Sequence, residues 1–233
     1  MHDMDRQQLL DNITKLLERV RACSQKSQFQ NSDILVLAVS KTRPAEVVRA
    51  AYECGLSHFG ENYLQEGLGK IAALRDLPLT WHFIGPIQSN KTRDIAAHFD
   101  WVHSVDREKI ARRLNDQRPT ELPPLQVCLQ VNISGEASKS GVPPAQLPAL
   151  AAAVADLPQL RLRGLMAIPA AAQDPADQRA AFAAVRELAA GLAQRVPGMD
   201  TLSMGMSGDL EAAIAEGATV VRVGTAIFGP RDR

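Results

Sequence analysis

The sequence contains few aromatic residues, few cysteines and no net charge, and each shortage argues against a class of protein. Aromatic residues make up 4% of the 233 residues, too few for the stacking surfaces that bind single-stranded nucleic acids. The 26 basic side chains are balanced by 26 acidic ones, so the sequence lacks the broad positive field typical of nucleic-acid-binding proteins. Cys23, Cys54 and Cys128 lie far apart, which argues against a disulfide framework and against a zinc site.

Long hydrophobic runs are also missing. The first twenty residues carry charges throughout, and no stretch approaches the roughly 18 apolar residues of a membrane span, so neither a signal peptide nor a membrane helix is predicted. With the unpaired cysteines, this predicts a cytoplasmic protein. Hydrophobic residues make up 45% of the chain, enough for a sizeable core. No linker or low-complexity segment interrupts it, so we expect one domain over residues 1–233.

Hydrophobic periodicity predicts an N-terminal helix followed by alternating strands and helices. The helix is expected within residues 1–30, packed on the rest of the domain, because apolar side chains recur there at spacings of three and four. These are Leu9, Leu10, Ile13, Leu16, Leu17 and Val20. Strands are predicted at 34–39, 58–60, 81–84, 101–104, 126–131, 162–166, 201–203 and 220–223. Eight such units favour a single-domain TIM-type (β/α)8 barrel, and a doubly wound open sheet is the alternative.

Lys41 stands where a barrel places its chemistry, directly after the first strand. The chain has seven lysines against nineteen arginines, which makes a lysine at this position notable. Desolvation of an amine at the mouth of a barrel lowers its pKa and frees its lone pair for attack on a carbonyl. Lys41 is therefore a candidate for Schiff-base formation, and a solvated lysine at the start of a loop is the alternative.

Two glycine-rich segments follow the seventh and eighth predicted strands, where barrels often bind phosphate. They are 203–209, which precedes a predicted helix at about 210–216, and 222–229. Small residues let backbone N–H groups approach an anion, and a helix N-terminus behind Ser207 would add favourable potential. Tight turns alone would also explain the glycines. The pairing of the two segments favours a phosphate site at Ser207, Gly224 and Thr225.

A lysine for a carbonyl and a cradle for a phosphate together indicate pyridoxal 5′-phosphate (PLP). Arg222 lies two residues before Gly224, on the same face of the strand, from where it could reach the pyridine nitrogen. An arginine stays protonated and would leave that nitrogen unprotonated, which weakens the ring as an electron sink. The alternative for Arg222 is an ion pair inside the barrel with an acid such as Glu61.

Seven segments in order carry a resemblance to a known family. They are AVSKTRP (38–44), HFGENYLQE (58–66), WHFIGPIQSNK (81–91), VNISGEASKSGV (131–142), GLMAIP (164–169), SMGMSGD (203–209) and VRVGTAIFG (221–229). From about Leu37 onward the chain resembles the PLP homeostasis protein family, whose fold is similar to the N-terminal barrel of alanine racemase. The resemblance implies an internal aldimine on Lys41, and cofactor contacts at Asn62, Ser207, Arg222, Gly224 and Thr225.

The same resemblance assigns roles to two further cations. Lys139 matches a family lysine that handles PLP away from the main site, and a surface lysine on a loop is the alternative. Arg43 stands where some members of the family have a lysine. A role in attracting phosphate is compatible with arginine, whereas a second Schiff base is not.

Function is predicted to be carriage of PLP rather than catalysis. Racemases of the related type need a second base, a tyrosine from a further domain, and the two tyrosines here, Tyr52 and Tyr63, fall in segments predicted to be helical. The resemblance therefore favours a protein that buffers PLP and delivers it, with PLP-dependent apoenzymes as the recipients. The neutral net charge and the single short domain are compatible with a monomer. The alternatives are a weak amino-acid racemase and a class I aldolase that uses Lys41.

The remaining polar candidates are given structural roles. His82 and His103 end predicted strands, and we expect structural histidines there more than cofactor contacts. His58, Glu61 and Asn62 fit a zinc site only loosely, so no metal is assigned. Cys128 lies within an apolar strand and is expected to be an inert buried thiol.

Overall fold

The computed structural model of the protein describes residues 5–29, 33–136 and 140–230. Within these ranges the strands are β1 (Leu35–Val39), β2 (His58–Glu61), β3 (Thr80–Phe83), β4 (Trp101–Val105), β5 (Leu125–Val131), β6 (Leu160–Ala167), β7 (Thr201–Ser203) and β8 (Val220–Val223). The helices are α1 (Arg6–Lys26), α2 (Ala45–Glu53), α3 (Leu64–Ala73), α4 (Thr92–His98), α5 (Glu108–Gln117), α6 (Leu147–Ala155), α7 (Pro175–Ala193), α8 (Leu210–Ala215) and α9 (Thr225–Phe228). Short 3-10 turns occupy Ser89–Lys91 and Pro144–Gln146.

The strands form a closed parallel barrel in which each strand pairs with its neighbour in sequence. Closure comes from the pairing of β1 with β8, which places Leu37 opposite Arg222 and Ala38 opposite Val223. The predicted TIM-type barrel is confirmed, with all eight strands present, and the open-sheet alternative is wrong. The predicted bounds of β7 and β8 match those of the structure, and the bounds of the other six strands differ by one or two residues at one or both ends.

The strands are buried on both faces, as a barrel with a filled interior and an outer ring of helices requires, and most of the buried residues are apolar. In β1, Leu37 and Ala38 are fully buried although their side chains point to opposite faces. The helices cover the outside through one apolar face each. On α7 that face includes Phe182 and Val185, and the helix begins after Asp174, whose side chain accepts from the Ala176 N–H at 2.8 Å.

The N-terminal helix α1 packs against α8 and α9, at the part of the barrel built by the end of the chain. Its buried residues are Leu9, Ile13, Leu16, Val20 and Ser24. The prediction that Leu10 and Leu17 share this stripe is wrong, because both are 41% exposed on the flank of the helix. Asn12 donates to the Ile227 carbonyl at 3.0 Å, which ties α1 to α9. In the described part of the chain, no helix combines the length and apolarity needed to cross a membrane.

Candidate functional site

A cavity of about 270 Å³ opens at the C-terminal end of the barrel. It is lined by the ends of β1 and β8 and by residues that follow β1, β2, β3, β6, β7 and β8. The structure brings all six predicted site residues together here. They are Lys41, Asn62, Ser207, Arg222, Gly224 and Thr225. Their predicted roles toward a cofactor stay predictions, but their assembly in one place follows from the barrel topology.

Lys41 lies in a short loop that is fixed from two sides. Before it, the Ser40 carbonyl accepts from Lys70 Nζ at 2.7 Å. After it, the Thr42 N–H donates to Glu66 Oε1 at 2.5 Å, and Thr42 has a φ of 67°, a left-handed conformation that is unfavourable for a β-branched residue. The loop therefore presents Lys41 to the cavity through a backbone shape that its neighbours impose.

A buried charged cluster lies under this loop, and the sequence reasoning missed it. Lys70 Nζ also donates to Glu61 Oε1 at 2.7 Å and to Glu66 Oε1 at 2.6 Å, and Ser40 Oγ donates to Glu61 Oε1 at 2.5 Å. Burial raises the pKa of Glu61, although the charge of Lys70 opposes this. The alternative interpretation of Arg222 as the ion-pair partner of Glu61 is wrong, because Lys70 takes that place.

The two glycine-rich loops border the cavity with small residues, as predicted. Ser207, Gly224 and Thr225 line it together with Gly208. The predicted helix at about 210–216 is confirmed as α8 (Leu210–Ala215), and Ser207 lies in the turn before it. The side chains and backbone of Ser207, Gly208, Gly224 and Thr225 border the cavity, so a phosphate bound here would lie against these two loops.

Arg222 lies at the buried end of the cavity, and only 5% of the residue is exposed. Nη1 donates to the Ser203 carbonyl at 2.6 Å and to Ser203 Oγ at 2.8 Å, and Nη2 donates to the Ala167 carbonyl at 2.9 Å. Burial lowers the pKa of Arg222 to about 10, with the charge of Asp209 acting in the opposite direction. Arg222 is therefore a fixed cation at neutral pH.

Asn62 follows β2 and contributes an amide to the same cavity. Its Oδ1 is buried and has no hydrogen-bond partner among the described residues. Gly85, after β3, packs so closely that a Cβ there would lie 2.1 Å from the Asn62 carbonyl oxygen. A buried acceptor without a donor is costly, so a ligand that donates to Asn62 Oδ1 would be stabilised here.

Of the two further cations that the resemblance singles out, Arg43 and Lys139, the structure describes only Arg43. Arg43 lines the cavity, and its Nη2 donates to the Gly229 carbonyl at 2.9 Å and to the Pro230 carbonyl at 2.8 Å. It therefore connects the β1 loop with the end of the described chain and remains close enough to attract an anion. Lys139 lies outside the described residues.

His82 and His103 are inside the barrel below the cavity, fully buried. They are not among the residues that line it, and both form hydrogen bonds inside the barrel. His82 Nδ1 lies 2.8 Å from His103 Nε2, and His103 Nδ1 lies 2.7 Å from Ser203 Oγ. Cys128 is fully buried, and burial raises its pKa to about 12, as expected of an inert thiol.

The ionisable side chains among the described residues that line the cavity are Lys41, Arg43 and Arg222. Tyr52 lies in α2, as predicted, whereas Tyr63 immediately precedes α3 and is 56% exposed, and neither lines the cavity. In the described part of the chain, His, Cys, Asp and Glu form no group of three that could hold a metal. The site can therefore bind an anion and present an amine to it.

Comparison with known proteins identifies the family. The family model of the alanine racemase N-terminal domain matches residues 5–232. The pyridoxal phosphate homeostasis protein of Pseudomonas aeruginosa is 64% identical over 224 residues, which is 96% of each chain. The protein of the same name from Escherichia coli K12 is 54% identical over 227 residues, 95% of this chain and 96% of its own. The chain belongs to the pyridoxal phosphate homeostasis protein family.

Solved structures place this family among the barrels. PipY of Synechococcus elongatus, solved with PLP bound, matches with a TM-score of 0.84 and 41% identity, over 95% of this chain and 100% of that one. The alanine racemase of Corynebacterium glutamicum matches with a TM-score of 0.66 and 20% identity, over 95% of this chain and 61% of the racemase. The second likeness concerns the fold alone, and it agrees with the closed barrel described above.

Proposed function

We propose that the protein binds PLP in the cavity at the C-terminal end of the barrel and acts in PLP homeostasis, by holding the cofactor and releasing it. The observation that carries this proposal is the convergence of Lys41, Arg222 and the two glycine-rich loops on one small cavity. Support also comes from the relatives named for pyridoxal phosphate homeostasis and from PipY, which was solved with PLP bound.

The cavity offers a suitable group for each part of PLP. The amine of Lys41 would condense with the aldehyde to form an internal aldimine, with loss of one water molecule. Ser207, Gly224 and Thr225 would hold the phosphate through hydroxyl and backbone donors, and Arg43 would attract it. Arg222 would face the ring nitrogen, and Asn62 Oδ1 would accept from a donor on the ligand. The volume of about 270 Å³ suits a ligand with one ring.

A role in storage and delivery fits these groups better than catalysis does. Arg222, as a fixed cation, would keep the ring nitrogen unprotonated and the ring a weak electron sink. Racemisation also needs a base on each face of the cofactor, and the ionisable residues that line the described cavity are Lys41 and two arginines. We therefore propose one domain, a monomer in the cytoplasm, that supplies PLP to PLP-dependent apoenzymes.

The experiment is an absorbance spectrum of the purified protein with PLP, before and after reduction with borohydride, followed by peptide mapping. We expect an aldimine band, and we expect borohydride to fix the cofactor onto the peptide that contains Lys41. Lys41→Ala should lose the band and the label. Lys109→Ala, which removes an exposed lysine on α5, is the control and should retain both.

Other outcomes would replace the proposal. A label on the peptide containing Lys139 would move the covalent site to that residue. A colourless protein that takes up no PLP would leave the aldolase hypothesis for Lys41. Loss of chirality of an amino acid incubated with the loaded protein would favour the racemase hypothesis.

A further inference from the structure

A chain of hydrogen-bonded side chains crosses the inside of the barrel, from the beginning of β2 to the buried end of the cavity. His58 Nδ1 lies 3.0 Å from His82 Nε2, and His82 Nδ1 lies 2.8 Å from His103 Nε2. His103 Nδ1 lies 2.7 Å from Ser203 Oγ, which accepts from Arg222 Nη1 at 2.8 Å. The histidine chain, as we call these five residues, thus ends on a side chain that lines the proposed PLP site.

Arg222 gives the histidine chain a direction. A guanidinium has five donors and no acceptor, so Ser203 Oγ must accept from Arg222. The serine hydroxyl then has one hydrogen to donate, and its other partner among the described residues is His103 Nδ1. If His103 Nδ1 donated instead, the serine hydrogen would be buried without an acceptor, which is unfavourable.

The same logic fixes both buried imidazoles. When His103 Nδ1 accepts, His103 Nε2 carries the hydrogen and donates to His82 Nδ1, so His82 Nε2 carries the hydrogen and donates to His58 Nδ1. Each imidazole must be neutral to have one donor and one acceptor. Burial and the charge of Arg222 lower the pKa of His103 to about 3, and burial lowers the pKa of His82 well below its usual value.

We propose that His103, with His82 behind it, is a positioning residue for Arg222, because it fixes the Ser203 hydroxyl as an acceptor and so holds the guanidinium toward the cofactor ring. The inference rests on the proposed function, since Arg222 would face PLP. His103 itself lies below the cavity and acts only through Ser203. The role of the histidine chain is therefore to orient Arg222 rather than to carry a proton, since the guanidinium at its end has no acceptor.

The first test needs no cofactor and no variant of the buried histidines. Nitrogen NMR of the imidazoles in the PLP-free protein distinguishes a protonated ring nitrogen from an accepting one. We expect His82 and His103 to carry their hydrogens on Nε2. Hydrogens on Nδ1 of His103, or a doubly protonated imidazole at neutral pH, would overturn the proposal, whether or not the protein binds PLP.

The second test uses the loaded protein and the variants Ser203→Ala and His103→Phe. We expect each to weaken PLP binding about tenfold, as loss of one charge-assisted hydrogen bond would, and to displace the absorption maximum of bound PLP. The double variant should be no worse than either single one, because both break the same link. Thr201→Val is the control, since it removes a buried hydroxyl from the same strand that bonds Asp200 and not the histidine chain.

The two tests separate the two proposals. If Ser203→Ala and His103→Phe lower the thermal stability but keep the PLP affinity and absorption maximum of Thr201→Val, the histidine chain has only a structural role. That result would leave the proposed function intact. Should His103→Phe fail to fold, Ser203→Ala and the imidazole tautomers still decide the result. If the wild-type protein binds no PLP, the proposed function fails, and the tautomers of His82 and His103 still show in which direction the hydrogen bonds of the histidine chain are donated.

Discussion

At the scale of single residues, Thr42 is notable because it combines a β-branched side chain with a left-handed backbone. Its φ is 67°, and among the described residues it is the one residue other than glycine with a positive φ. Such a conformation costs roughly 1–2 kcal/mol, and it persists only where contacts impose it. Here the contacts are those of Glu66 and Lys70 with the backbone on each side of Lys41.

We expect Thr42→Asn to raise the free energy of unfolding by about 1 kcal/mol, because asparagine tolerates the left-handed region better than a β-branched residue. Chemical denaturation measures the change. Thr120→Asn is the matched control, since Thr120 is exposed in a turn without a positive φ, and it should give no gain. A Thr42→Asn protein no more stable than wild type would show that the loop holds no strain at this residue.

Site residues that follow strands could be predicted from the sequence. Charged residues that are buried by tertiary packing could not. Lys41, Arg222 and Gly224 stand at or beside strand ends, which are legible as short apolar runs. Glu66 and Lys70 are four residues apart on α3, a spacing that is typical of an exposed ion pair. Only the packing of α3 under the β1 loop shows that Lys70 is buried.

At the scale of elements, the site depends on the close approach of the loops after β2 and β3. Gly85 lies against the Asn62 backbone, with no space for a Cβ. Gly69, on α3, has no atom within 4 Å of the position a Cβ would take. The two glycines therefore offer a matched pair, one that shapes the cavity and one that does not.

We expect Gly85→Ala to separate these loops, displace Asn62 and weaken PLP binding at least tenfold, a loss of about 1.4 kcal/mol. Gly69→Ala should leave the affinity unchanged and stabilise the protein by about 0.5–1 kcal/mol, because alanine favours a helix interior. Titration with PLP and chemical denaturation measure the two quantities. Equal affinities of the two variants would refute a role of the Asn62 loop in binding.

At the scale of the whole molecule, the buried imidazoles link stability to pH. Burial lowers the pKa of His103 from 6.5 to about 3, and it also lowers the pKa of His82 well below its usual value. The unfolded chain therefore binds more protons than the folded one below pH 6.5. The stabilisation is complete above pH 6.5 and is lost as the pH falls from there toward 3.

We expect the free energy of unfolding to fall by about 1.4 kcal/mol per pH unit for each of these two histidines below pH 6.5. Glu61, whose pKa burial raises, opposes this slope, since it binds a proton more readily in the folded state. Denaturation curves from pH 7 to pH 5 measure it. His103→Gln should reduce the pH dependence of the free energy of unfolding by about 1.4 kcal/mol per pH unit, the contribution of one histidine. An unchanged pH dependence in that variant would contradict the lowered pKa of His103.

The fold could be predicted almost completely because its periodicity is local. Each apolar run, from residues 34–39 onward, marks a strand, and eight such runs with helices between them suffice for a barrel. The register of β1 against β8, and the histidine chain inside the barrel, could not be predicted, because both depend on contacts between residues far apart in sequence. His103 and Ser203 are separated by 100 residues and meet only across the barrel.

The pairing of β1 with β8 also has a consequence for biosynthesis. Lys41 follows the first strand, whereas Arg222 lies in the last strand and Gly224 and Thr225 follow it, and these two strands are neighbours in the closed sheet. A nascent chain that has not yet reached β8 has the amine and the loop after β7, but it lacks Arg222 and the second glycine-rich loop that would hold a phosphate. Loading with a reactive aldehyde would therefore follow closure of the barrel, so that an incomplete chain would not retain it.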